Sequence, residues 1–79
     1  MDVVFTGTAM KQWRKLDSIV RDRIDVKLEA LAATGSGDVK KLTGMEGARL
    51  HVGDWRVIYT VEGDTMTIHA VGHRSRIYE

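Results

Sequence analysis

The run Gly47-Ala48-Arg49-Leu50-His51-Val52-Gly53-Asp54-Trp55-Arg56-Val57-Ile58-Tyr59 constrains the fold more tightly than any other part of the chain. Gly53-Asp54 is a two-residue Gly-X connection between alternating segments, the signature of a type II′ hairpin turn, and so short a loop leaves its flanks one register. Val52 must face Trp55, His51 must face Arg56, Leu50 must face Val57 and Arg49 must face Ile58. Residues directly opposite each other share a face of the sheet. Val52, Trp55, Leu50 and Val57 therefore form an apolar side, and Arg49, His51 and Arg56 gather on the other.

Gly63-Asp64 repeats the device after Thr60-Val61-Glu62. Counting outward from it pairs Val61 with Met66, Tyr59 with Ile68 and Val57 with Ala70, which extends the apolar side. Thr60, Thr67, His69 and Val71 join the polar one. Two turns read independently thus select the same buried face, and a slip of one residue would turn every apolar side chain into water.

The 79 residues are read as one domain, 1–79. A domain of this size buries only about 60% of its unfolded surface, so a bound partner would add useful stability. The hydrophobic share of 43% and charged share of 29% suit a soluble globular protein, without an apolar run able to span a membrane. Met1-Asp2-Val3-Val4-Phe5 lacks the basic start and long apolar segment of a signal peptide, so a cytoplasmic location is expected. Without cysteine there are no disulfides and no thiolate nucleophile. His51, His69 and His73 show no ligand spacing with a carboxylate, so neither a metal nor another cofactor is expected. The net charge of +1 rules out indiscriminate adhesion to nucleic acid, and any polyanion must be met by a local cluster.

Taken in order, Asp2 to Thr6 reads as a short strand, Thr8 as the cap of a helix through Lys15, and Asp17 or Ser18 as the cap of a longer one. Met10, Trp13 and Leu16 stripe the first helix, and Val20, Ile24, Leu28 and Leu31 the second. Both stripes are core-facing, and Trp13 needs no ligand. Ala32-Ala33-Thr34-Gly35-Ser36-Gly37 ends the second helix on glycine and opens a flexible loop to about Gly47. Within that loop Leu42 anchors to the core while Lys40 and Lys41 stay in water. The order β-α-α-β-β-β makes an α+β fold of two layers, both helices on one face of a mainly antiparallel four-stranded sheet.

The uncovered face then carries Arg49, His51, Arg56 and His69, followed by the tail Gly72-His73-Arg74-Ser75-Arg76-Ile77-Tyr78-Glu79. Crowding like charges across strands is unfavourable, and phosphate is the natural counterweight because arginine pairs bidentately with its oxygens. Histidine adds proton transfer, and cationic neighbours lower its pKa, leaving a neutral base at pH 7. Such a set suits attack of an RNA 2′-hydroxyl on the adjacent phosphorus. A base takes the hydroxyl proton, arginines stabilise the phosphoryl oxygens, and an acid protonates the departing 5′-oxygen. Tyr78 would stack on a base. A solvated polar face with an incidental histidine is the plainer reading of the same residues. For Lys40 and Lys41 it is a solvated loop rather than RNA contact, for His69 a surface position, and for Arg76 a tail salt bridge rather than phosphate binding.

Lys41-Leu42-Thr43-Gly44, then Ala48 to Tyr59 with its Gly-Asp-Trp-Arg hairpin, then Val71-Gly72-His73-Arg74 and Tyr78, resemble the RelE/ParE toxin superfamily and within it the RelE-type mRNA interferases. The resemblance implies a toxin of a type II toxin–antitoxin system that cleaves mRNA in the ribosomal A site without metal. It also implies neutralisation by a cognate antitoxin in a hetero-oligomer. By the same resemblance Arg56 holds the phosphate, Arg74 is catalytic, and Tyr78 lies by the scissile nucleotide. Arg49 and His51 stand where the best-known members carry lysines, the second of them the general base. Strict alternation from Gly63-Asp64 puts His73 on the face of Arg56 and turns Arg74 to the helices. A bulge or strand end at Gly72 would re-aim Arg74, and otherwise His73 is the better candidate acid. Two other readings keep the fold: a ParE-type gyrase inhibitor without catalysis, and a degenerate member that only binds antitoxin. Ile58, Val71 and Ile77, apolar residues on the polar side, are expected to meet the antitoxin.

Overall fold

A computed structural model describes residues 1–77. The elements are β1 (Asp2–Phe5), α1 (Gly7–Arg14), α2 (Ser18–Thr34), β2 (Val39–Lys41), β3 (Ala48–Val52), β4 (Trp55–Glu62) and β5 (Thr65–His73). Both glycine turns close as read. Gly53 and Gly63 have φ of 59° and 60°, and no described residue other than glycine has positive φ, which selects type II′ over type I′. The β3–β4 register is Arg49 with Ile58, Leu50 with Val57, His51 with Arg56 and Val52 with Trp55, as the first turn requires.

The sheet has five strands rather than four, in the order β1-β5-β4-β3-β2, all neighbours antiparallel except β1 and β5. The additional strand, β2, lies where a flexible loop was expected. It pairs Val39 with Leu50, Lys40 with Arg49 and Lys41 with Ala48. All three of its residues are exposed, so no burial pattern announced it. Leu42 just beyond is buried, and both lysines are exposed, as expected.

The helices cover one face only. Ile24, Leu28 and Leu31 of α2 and Ala9 of α1 pack on Leu50, Val52, Val57, Tyr59, Met66, Ile68 and Val71 of the sheet, with Val20 and Leu16 at the margin. The cap of α1 is Thr6, not Thr8: its hydroxyl accepts from the Ala9 amide at 3.1 Å, and Gly7 opens the helix. Asp17 caps α2 without a side-chain bond, and Gly35 ends it in the left-handed conformation with φ of 73°. Trp13 Nε1 donates to Asp25 Oδ1 at 3.0 Å, and its ring stands edge-on to Phe5.

The largest departure from simple alternation is in β5. Tyr59 pairs with Ile68 and Ile58 with Ala70, so His69 is an extra residue in a bulge. Beyond it the parity reverses. Val57 meets Val71 rather than Ala70, and Val71, expected on the polar side and against an antitoxin, is in the core at 2% exposure. Where β1 has ended, Gln12 Oε1 of α1 accepts from the Val71 amide at 2.8 Å and satisfies the bared strand edge. No helix among the described residues is long and apolar enough to cross a membrane.

Candidate functional site

The open face of the sheet carries two rows of cross-strand partners. Lys40, Arg49, Ile58 and Ala70 form one row, and His51, Arg56 and Gly72 the next. Thus β2, absent from the sequence reading, makes Lys40 the cross-strand partner of Arg49.

The hairpin tip orients Arg56. Its Nη1 donates to the carbonyls of Gly53 at 2.7 Å and Trp55 at 2.8 Å, which fixes the guanidinium beside its own turn. The described residues give Nε and Nη2 no hydrogen-bond partner, so one edge of the fork is open to a phosphate. His51 is three-quarters buried, with a side-chain exposure of 25%. Burial holds its pKa below 6.5, Arg56 adds to this, Asp38 opposes it, and Arg49 and Lys40 reinforce the lowering. The imidazole is accordingly neutral at pH 7 and can accept a proton.

The bulge at His69 decides where the tail goes. His73 is paired with Trp55 and not with Arg56, contrary to strict alternation, and its ring stands edge-on to the indole at 5.4 Å. Its Nδ1 also lies 2.8 Å from Ser75 Oγ and accepts from the Ser75 amide at 3.2 Å. His73 is therefore on the helix side of the sheet rather than beside Arg56. Arg74, one residue on, has its amide on the Asp54 carbonyl at 2.8 Å and its Nε 3.5 Å from Asp54 Oδ1, at the tip that orients Arg56. The irregularity anticipated at Gly72 exists, but it lies three residues earlier. Gly72 has another use: Ile77 folds back over it, within 3.7 Å of where a Cβ would stand.

His69 is exposed and shares a 2.7 Å hydrogen bond with Thr60 Oγ1, consistent with a surface role. Arg76 is exposed, its amide donating to the His73 carbonyl at 2.9 Å. Lys41 pairs with the buried Ala48 and so stands on the opposite face of the sheet from the Lys40–Arg49 row, away from the RNA contact expected of it. Tyr78 lies outside the described residues. Among those residues no group of histidines and carboxylates could hold a metal ion.

A family model for the ParE toxin of type II toxin–antitoxin systems matches residues 3–78. The chain is 32% identical over 85 aligned residues to Toxin RelE3 of Methanocaldococcus jannaschii, covering 100% of this chain and 97% of that protein. It is 31% identical to the mRNA interferase toxin RelE of Escherichia coli K12, covering 91% and 81%. The toxin in the RelB–RelE complex of Methanococcus jannaschii superposes with a TM-score of 0.78 at 30% identity, covering 95% of this chain and 94% of that one. The chain belongs to the RelE/ParE toxin superfamily.

As a RelE/ParE toxin of the type II class, the protein brings together Lys40, Arg49, His51 and Arg56, with Arg74 at the adjoining tip. One neighbour of this site was missed from sequence. Asp38 accepts from the His51 amide through its carbonyl at 2.8 Å, and its Oδ2 lies 3.6 Å from His51 Nδ1. Nothing in the spacing signals this contact, because it depends on recognising the short edge strand that follows Asp38.

Proposed function

We infer that this toxin is an mRNA interferase that cuts RNA by attack of a 2′-hydroxyl on the adjacent phosphorus. The observation that carries the reading is the direct pairing of His51 with Arg56 on the uncovered face, a neutral base beside an oriented guanidinium. The similarity to an mRNA interferase of E. coli supports it. His51 accepts the 2′-hydroxyl proton. Arg56, with Lys40 and Arg49, stabilises the charge growing on the phosphoryl oxygens, and side chains supply that charge without metal. Arg74 meets the departing 5′-oxygen, which takes its proton from solvent as it leaves, and Tyr78 would stack on the base. The products are a 2′,3′-cyclic phosphate and a 5′-hydroxyl. Arg76 extends the contact along the strand.

The substrate is mRNA in the ribosomal A site, and the antagonist is a cognate antitoxin, since the structural relatives include toxins solved with RelB. Of the apolar residues expected to meet it, Ile58 and Ile77 remain, since Val71 is in the core.

The match to a ParE model favours one rival, a gyrase inhibitor without catalysis. Expression of the chain with parallel assays of translation, DNA supercoiling and RNA ends separates them. Cyclic phosphate ends on cut messages are expected, whereas relaxed plasmid with intact RNA would establish the rival. His51→Ala and Arg56→Ala should each lower the single-turnover cleavage rate by roughly 10²-fold or more, with circular dichroism unchanged. A double variant of full toxicity would remove the proposed site.

A further inference from the structure

We propose that Asp38 is a positioning residue for His51, holding the imidazole with its proton on Nδ1 so that Nε2 presents the lone pair. The inference rests on the ribonuclease reading for what Nε2 then does, while the tautomer itself can be tested apart from it.

Three observations converge. First, the backbone fixes the pair: the His51 amide donates to the Asp38 carbonyl at 2.8 Å, where the chain enters β2, so the two side chains start from adjacent anchored points. Second, Asp38 Oδ2 lies 3.6 Å from His51 Nδ1, longer than a formed hydrogen bond but close enough for the carboxylate to favour a proton on that nitrogen. Third, His51 Nε2 is buried and has no hydrogen-bond partner among the described residues. A buried N–H without an acceptor is costlier there than a lone pair facing the guanidinium-rich row, so the unpaired nitrogen is the one that should go without the proton.

The charges around the ring make the carboxylate distinctive. Arg56 faces it from β4, Arg49 lies two residues away on its own strand, and Lys40 sits on β2. All three oppose an imidazolium, and Asp38 alone favours it. In the reaction the 2′-hydroxyl proton passes to Nε2 as the O2′–P bond forms and the P–O5′ bond breaks. The resulting imidazolium carries N–H on both nitrogens, the Nδ1 proton towards Asp38, until it returns a proton to solvent. Because Nε2 is shut off from water in the free chain, RNA must displace its cover to reach it. The lysines that the family resemblance puts at this position would have no tautomer to set, so the device belongs to a chain with histidine here.

The test compares the full chain with Asp38→Ala and Asp38→Glu. Long-range proton–nitrogen NMR correlations of the His51 ring report the tautomer directly. The unaltered chain should show Nε2 unprotonated above its pKa. Asp38→Ala should move the population to the Nε2–H form and lower the His51 pKa, and Asp38→Glu should restore both. Since the amide contact uses the backbone of residue 38, the amide spectrum of β2 and β3 should persist in each variant. On programmed ribosomes Asp38→Ala should slow single-turnover cleavage by roughly tenfold, well short of the loss in His51→Ala, with the acid limb moved to lower pH and KM unchanged. An identical tautomer mixture with and without the carboxylate overturns the proposal. A chain that cuts no RNA yet shows the tautomer shift keeps Asp38 as the orienting group and overturns the ribonuclease reading instead.

Discussion

His51 is poised by its surroundings, and the same surroundings make it a liability in acid. Burial and three cations hold its folded pKa below 6.5, so the unfolded chain binds a proton at a higher pH than the folded one. Stability is therefore complete above about pH 6.5 and falls as acidification carries the pH down through the folded pKa. Urea midpoints measured from pH 8 to pH 5 should drop more steeply for the natural chain than for His51→Gln. Gly47 illustrates a different constraint at this scale. It has φ of +113°, and a Cβ there would stand 2.8 Å from the Tyr59 carbonyl oxygen, while its own carbonyl accepts from the Leu42 amide. Gly47→Ala should cost about 2 kcal/mol in urea unfolding, and it should weaken β2 along with the Lys40–Arg49 row.

Among the elements, β5 holds the lesson about what could be read beforehand. Two-residue turns declare their register, so the Gly53-Asp54 hairpin and its His51–Arg56 pair were legible from spacing alone. A bulge makes no such declaration, because one inserted residue reverses parity without changing composition. A clue was present in Ile68-His69-Ala70-Val71, where strict alternation would bury the small alanine and expose the β-branched valine. The strand β2 was hidden for another reason: three exposed residues at a sheet edge carry neither alternation nor an apolar run. The cap of α1 was misplaced because Thr6 and Thr8 offer equivalent hydroxyls and only the packing of Ala9 distinguishes them. The bulge also yields an expectation. Deleting His69 would leave a regular ladder with Val71 still buried and Arg74 still at the hairpin tip. The shortened protein should fold, losing at most about 1 kcal/mol with the Thr60–His69 bond, and its amide exchange should show continuous protection through β5.

At the scale of the molecule, a chain of net charge +1 concentrates Lys40, Arg49, Arg56 and Arg74 at one side and one end of its sheet. Binding of a single-stranded RNA analogue should then weaken with salt along a log–log slope of roughly −3, if each of these cations meets one phosphate. A much steeper slope would point to contacts elsewhere on the surface. The parallel pairing of β1 with β5 has a consequence in time as well as in space. β1 leaves the ribosome well before its partner β5 and must wait for it, and β5 also brings Arg74 to the hairpin tip. A nascent copy therefore cannot complete the edge of its sheet, or bring Arg74 beside Asp54, until β5 has emerged.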